Sequence, residues 1–342
     1  MLPFDITMPV TLFCVTLLAV LLNKRVEGKL KTTFEEREFH IRDAVLFVAM
    51  ISVAISVIIF VPQEAITIVF LFAYSALLFT FAYTFSNMPK RRAQMFCLAF
   101  GLTALAIGTV AILDPFTDSR LFTGGLVAYG LAALAFFTAL YEQRRESTGE
   151  RWYTAVLPPA LFLLLYLFYR GTPLWVPYFF NIFAITFAIL ITLYLTSLFT
   201  WKIIFIFAGL LTVMDIILVF GTGTMGQAAV TLLDLRLPIA VVLPRIPIQG
   251  ALRFSALGLG DFFFAGLLAT QTSKRYNEKI AVISALFMAF SLGLTFLIQA
   301  YFEIEFFPAT LSIICGWLPV VIWKTITAKN KRLKNRISSL KK

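Results

Sequence analysis

Asp215 and Asp261 are the acidic residues that stand away from the ends of the long apolar runs in this 342-residue chain, and no lysine or arginine lies beside either in sequence. A charged side chain at bilayer depth costs roughly 2.5–3.5 kcal/mol on insertion scales, so an acid placed there points to function. Two carboxylates brought together share a proton, because the second ionisation is opposed by the first charge and by apolar surroundings. The ionised partner can draw a proton from water while the protonated one polarises a peptide carbonyl. On the carboxylates alone, a proton- or cation-coupled membrane transporter is an equal reading.

Other chemistries find little support in the sequence. Cys14, Cys97 and Cys315 are isolated inside apolar stretches, each read as a small buried hydrophobe, and the one histidine, His40, lies between apolar runs. Zinc clusters, disulfide frameworks and histidine-based triads therefore have no ligand set, and neither a metal nor an organic cofactor is expected. Gly221-x-Gly223-x-x-Gly226 has dinucleotide-fingerprint spacing, but it follows an apolar helix rather than a strand. Those glycines are expected to end or loosen that helix. The net charge of +11 lies in short loops and in the tail, which is topogenic placement and not a nucleic-acid surface.

The elements that must position the acids follow from hydropathy. With 60% hydrophobic residues, 14% charged residues and a mean hydropathy of +0.89, the chain carries more apolar surface than a soluble core uses. Each uncharged run is long enough to cross roughly 30 Å of hydrocarbon as a helix. Eleven helices are expected near 5–22, 44–62, 65–87, 94–113, 122–141, 154–169, 176–199, 202–220, 252–270, 280–299 and 306–324. In this reading Asp261 lies roughly 14 Å along the ninth helix from residue 252. Asp215 falls near the middle of the eighth if that helix runs on to Met225. The sixth is the least regular, with Pro158 and Pro159. The stretch Lys24 to Asp43 is expected to be an interfacial helix or loop.

Alternate loops and the tail hold 24 of the 29 lysines and arginines, leaving five on the other side, at Arg120, Arg170, Arg236, Arg245 and Arg253. The N-terminus is thus expected outside and the tail Lys324–Lys342 cytoplasmic. That tail is either a plain topogenic anchor or a site for anionic headgroups.

Gly258-Leu259-Gly260-Asp261 reproduces the Gly-x-Gly-Asp signature of intramembrane aspartyl proteases, the signal peptide peptidases and presenilins. Asp215-Ile216-Ile217-Leu218-Val219-Phe220-Gly221-Thr222 resembles the signal-peptide-peptidase segment that follows the first catalytic aspartate. Pro308-Ala309-Thr310 occupies the place of the family's Pro-Ala-Leu motif, two spans after the second aspartate. The order of these elements matches too, over about residues 200–325. The sequence departs from the family at Met214, where tyrosine is usual, at Thr310, where leucine is usual, and in carrying eleven spans rather than nine.

The resemblance implies an all-α, polytopic transmembrane helical bundle, with 1–64 as extra N-terminal helices, 65–342 as the protease core and 325–342 as its basic tail. It implies an aspartic endopeptidase that hydrolyses peptide bonds within transmembrane helices, with Asp215 and Asp261 as the dyad. Gly258, Leu259, Gly260, Pro308, Ala309, Thr310 and Met214 would shape the substrate site. The expected partners are the lipid bilayer and transmembrane-helix substrates such as signal peptides or type II membrane proteins, without obligatory partner subunits. The β-branched segment Leu237–Pro244, bounded by prolines, is read either as a strand for an unwound substrate or as a loop packed on helix ends. A transporter and a catalytically silent helix-binding relative are the alternatives.

Overall fold

In the computed structural model of the chain the described residues are 5–33, 39–113, 118–145, 151–246, 254–304 and 307–340. They form twelve α-helices and one short hairpin, so the all-α expectation holds. The helices are α1 (Thr7–Thr33), α2 (Ile41–Ile58), α3 (Gln63–Thr84), α4 (Lys90–Leu113), α5 (Ser119–Arg144) and α6 (Leu157–Tyr169). They continue with α7 (Asn181–Thr196), α8 (Trp201–Ile216), α9 (Thr224–Asp234), α10 (Leu259–Arg275), α11 (Glu278–Phe302) and α12 (Ala309–Leu340). The hairpin pairs β1 (Ala240–Pro244) with β2 (Phe254–Gly258) antiparallel, Val242 facing Ala256.

Ten helical segments among the described residues are long and apolar enough to cross a membrane. Their outward faces are apolar, with Leu46, Met50 and Val53 on α2, Ile68 and Phe72 on α3, and Phe290 on α11 all exposed. Such faces suit hydrocarbon, where the backbone must satisfy its own hydrogen bonds and helices do so within one segment. The remaining expected span, the ninth, is α10. It is shorter than drawn because 254–258 went into β2, and 252–253 lie outside the described residues. Likewise α12 starts at Ala309, with residue 306 of the expected span outside the described residues.

Pro158 and Pro159 occupy the first turn of α6, behind a 3-10 turn at Trp152–Val156. A first-turn proline lacks only an N–H that has no intrahelical partner anyway, so neighbouring helices need not compensate for it. The Lys24–Asp43 stretch is helical through Thr33, and His40 with Asp43 makes the capping box of α2. Residues 34–38 of that stretch lie outside the described residues. Cys97 is buried as expected, but Cys14 and Cys315 are exposed. On a lipid-facing helix an outward thiol costs little, since the solvent is itself apolar.

The chain divides into two compact units. The first holds Met1–Phe60, Ala184–Asp234 and Ile239–Lys342. At its centre is α10, whose residues Phe262 through Thr272 are all buried. A helix apolar on every side must be enclosed, and α1, α8, α11 and α12 surround it. The second unit holds Val61–Phe183 and Leu235–Pro238. There α4 and α5 pack closely through Gly101, Gly108 and Gly125, and a buried Arg151–Glu142 ion pair of 2.7 Å ties α5 to the turn before α6. The Leu235–Pro238 segment is pinned in the same unit, with Tyr166 Oη donating to the Leu235 carbonyl at 3.0 Å and Trp175 Nε1 to the Arg236 carbonyl at 2.9 Å.

In the first unit α11 and α12 touch backbone to backbone at Gly316. A Cβ there would stand 2.4 Å from the Phe287 carbonyl oxygen and 2.6 Å from Met288 Cα, neither of which can swing away. Gly316→Ala is expected to cost about 1–3 kcal/mol by overpacking and to lower the thermal unfolding midpoint in detergent. Gly209→Ala, where a Cβ meets nothing within 4 Å, should leave the midpoint unchanged or slightly higher. Equal midpoints for the two variants would refute this packing.

Candidate functional site

Asp215 lies one residue before the end of α8, and Asp261 is the third residue of α10. The long-helix geometry expected for both is therefore corrected. The helix α8 stops well short of Met225. Directly after Asp215 the chain widens into a π-turn, Ile217–Gly221, which closes with Thr222 N–H donating to the Ile217 carbonyl at 3.0 Å. Gly223 then takes φ +66°, a left-handed conformation that glycine adopts without strain, and α9 begins at Thr224. Gly221 and Gly223 end the helix, as expected, while Gly226 lies inside α9.

Asp261 is not 14 Å into its helix, because Gly258 is the N-cap of α10 and the preceding residues are strand. The error has a physical source. Residues 254–258 are apolar and run straight into the helix that follows, so a short apolar run of this kind reads equally as strand or helix.

The short helix offset still brings the acids together. Both are half-buried, and the Asp215 charge acts on Asp261. The third side of the site is the start of α12. Thr310 Oγ1 donates to Asp215 Oδ2 at 2.6 Å, and the Thr310 N–H points to the same oxygen at 3.4 Å. The sequence reading took Thr310 as a polar replacement near the site; its hydrogen bond to the acid is visible only in three dimensions. Pro308 and Thr310 are buried and Ala309 is partly so, while Phe307 packs edge-on against Phe220 of the π-turn with ring centroids 5.9 Å apart.

The Gly-x-Gly-Asp residues divide their work. At Gly258 a Cβ would sit 3.3 Å from Asp261 Oδ2, so close backbone approach applies there. At Gly260 a Cβ would meet nothing within 4 Å, so that face is open to an incoming chain and is not packed against the protein. Leu259 is buried, and its N–H donates to the Ile239 carbonyl at 2.9 Å, which fastens the start of α10 beside β1. Met214 is half-buried, and its carbonyl accepts from the Ile217 N–H at the end of α8.

The Leu237–Pro244 segment supplies β1, and β2 leads straight into the Gly258 cap. The start of α1 braces the far end of β1: Thr7 Oγ1 donates to the Pro244 carbonyl at 2.9 Å, and Ile6 N–H to the Ile246 carbonyl at 3.1 Å. A sheet edge is a general template for an added strand. Among the described residues no cluster of three metal-ligating side chains occurs. Two carboxylates, an open glycine face and a hairpin edge can hold an extended peptide and hydrolyse it by acid–base attack of water.

A family model described as signal peptide peptidase matches residues 31–335. No curated protein matches the chain.

Proposed function

The chain belongs to the signal peptide peptidase family, whose members are aspartic intramembrane endopeptidases, and from that premise we propose that Asp215 and Asp261 are its catalytic dyad. The protein is an integral, multi-pass membrane protein that acts on transmembrane substrates in the bilayer. The observation that supports the dyad is that α8, with Asp215 near its end, packs on α10, with Asp261 in its first turn, so that the Asp215 charge acts on Asp261. Neither acid has a lysine or arginine beside it in sequence. Each makes the other the natural partner for the shared proton.

One carboxylate takes a proton from the water whose oxygen bonds to the scissile carbonyl carbon, and the other gives its proton to the carbonyl oxygen. The tetrahedral diol collapses as the C–N bond breaks, with the first carboxyl returning its proton to the leaving nitrogen and the second taking one from a diol hydroxyl. Both acids end as they began.

A helical peptide bond is shielded by its own hydrogen bonds, so the substrate has to be extended before attack. The hairpin, joined without a break to the Gly258 cap, supports pairing with the opened substrate as an added strand. The open face at Gly260 supports the same reading. Pro308, Ala309 and Thr310 line the site from α12, with Leu259 and Met214 at its edges.

The charge asymmetry of the loops supports an N-terminus outside and a cytoplasmic tail, with the hairpin between the aspartates outside. Substrates then have cytoplasmic N-termini, as signal peptides and type II membrane proteins do. No obligatory partner subunit is part of this reading.

Cleavage of a model transmembrane peptide in liposomes tests the dyad. The native chain should release product, and Asp215→Asn and Asp261→Asn should each lower the rate by at least about 10³-fold, the size of effect expected when members of one catalytic unit are lost. Product from either variant at near-native rate would exclude that residue from the dyad. A reporter fused after Lys342 should be active only on the cytoplasmic side, and extracytoplasmic activity would reverse the orientation.

A further inference from the structure

The two carboxylates of the dyad are not equivalent in their surroundings. Asp215 Oδ2 accepts from the Thr310 hydroxyl at 2.6 Å, and a hydroxyl donor favours the ionised form of the carboxylate it faces. The same oxygen faces the Thr310 N–H at 3.4 Å. That N–H lies in the first turn of α12, where backbone donors lack intrahelical partners and the helix dipole favours negative charge. With Oδ2 accepting twice, the proton shared by the pair is displaced toward Asp261. Asp261 also lies in a first helical turn and faces one backbone donor, the Gly258 N–H, whereas among the described residues the hydroxyl donor stands at Asp215.

The elements packed on α8 and the π-turn that follows it within this unit are α2, α9, α10 and α12. The ionisable groups of α2 are Arg42 and Asp43 in its first turn, that of α9 is Asp234 at its last residue, and those of α10 besides Asp261 are Lys274 and Arg275 in its last turn. On α12 Cys315 is exposed, and the lysines begin at Lys324. On α8 itself the other ionisable group is Lys202, near its opposite end. Among the described residues of these elements, Asp261 is therefore the ionisable group on which the Asp215 charge acts.

We propose that Thr310 is a positioning residue that holds Asp215 as the ionised general base and leaves Asp261 as the protonated acid. The assignment rests on the dyad reading above and adds the direction of the first proton transfers. Asp215 takes the proton from the attacking water, whose oxygen bonds to the carbonyl carbon, while Asp261 gives its proton to the carbonyl oxygen. In a chain with leucine at this place that hydroxyl is absent, so the asymmetry belongs to this sequence.

The experiment is the pH–rate profile of peptide cleavage in liposomes by the full chain, for the native protein, Thr310→Val and Thr310→Ser, with Asp215→Asn and Asp261→Asn alongside. Valine keeps the shape and removes the hydroxyl; serine keeps the hydroxyl. Loss of a hydrogen bond to a charged group predicts an acidic limb displaced to higher pH by about one unit and kcat about ten-fold lower on the acidic side. KM should change less than kcat does, since valine keeps the shape with which residue 310 lines the site. Thr310→Ser should restore both the limb and kcat. An unmoved acidic limb in Thr310→Val, or serine behaving as valine does, would overturn the assignment while leaving the dyad intact. Cleavage surviving in either asparagine variant would instead overturn the dyad itself, and this proposal with it.

Discussion

A carboxylate held among apolar helices must be given donors, a neutral partner or water, because an isolated ion in a low-dielectric interior is too costly to keep. That constraint explains where the two aspartates stand. Neither lies in the middle of a regular helix, where every backbone N–H is already committed to a carbonyl one turn back. Asp215 is placed where α8 gives way to a π-turn, facing the first turn of α12, and Asp261 in the first turn of α10. Helix starts offer unpaired N–H groups and a favourable dipole. The site is assembled from helix ends because those are the places in a helical membrane protein where backbone donors remain available.

The hairpin follows from the same need. Had α10 begun near residue 252, its donors would have been spent on its own carbonyls well before Asp261. Strand β2 instead delivers Gly258 as an N-cap three residues ahead of the acid, and leaves strand edges beside it. The first helix contributes by fastening the other end of β1 through Thr7 and Ile6. Near its far end α1 meets α10 and α11 again, with Lys24 bonded to Glu278 and Glu27 to Lys274, both at 2.8 Å. One helix thus spans the unit from the hairpin to the charged ends of α10 and α11.

Hydropathy was sufficient to locate every long helix, since twenty apolar residues in a row have few other uses. It was also sufficient for the two acids, whose cost in such surroundings marks them. Three things were less legible. The residues Phe254–Gly258 have the composition of either a strand or a helix turn, and only pairing with Ala240–Pro244 decides between them. The π-turn after Asp215 has no residue signature before Gly221. The role of Thr310 depends on a contact across 95 residues, and no local pattern reports such a separation. The two glycines of Gly258-Leu259-Gly260-Asp261 look alike in sequence, and only the fold shows that a Cβ would crowd Asp261 at Gly258 and meet nothing at Gly260.

The polar groups farther along α10 show by contrast what sets the site apart. Gln271 Nε2 donates to the Thr196 and Phe199 carbonyls, Thr270 meets Thr196, and Thr272 accepts from Trp317 Nε1. Each is buried and tied to α7, the turn after it, or α12, so these groups fix helix positions and have little capacity left for a ligand. Toward the start of the same helix the pattern changes: Asp261 is only half-buried, faces another carboxylate and is preceded by the uncovered Gly260. Saturated polar groups on one half of a helix and unsaturated ones on the other give α10 two tasks. The saturated half resists displacement, and the acid at the other end can therefore be held in register with Asp215 while a substrate strand enters on the open side.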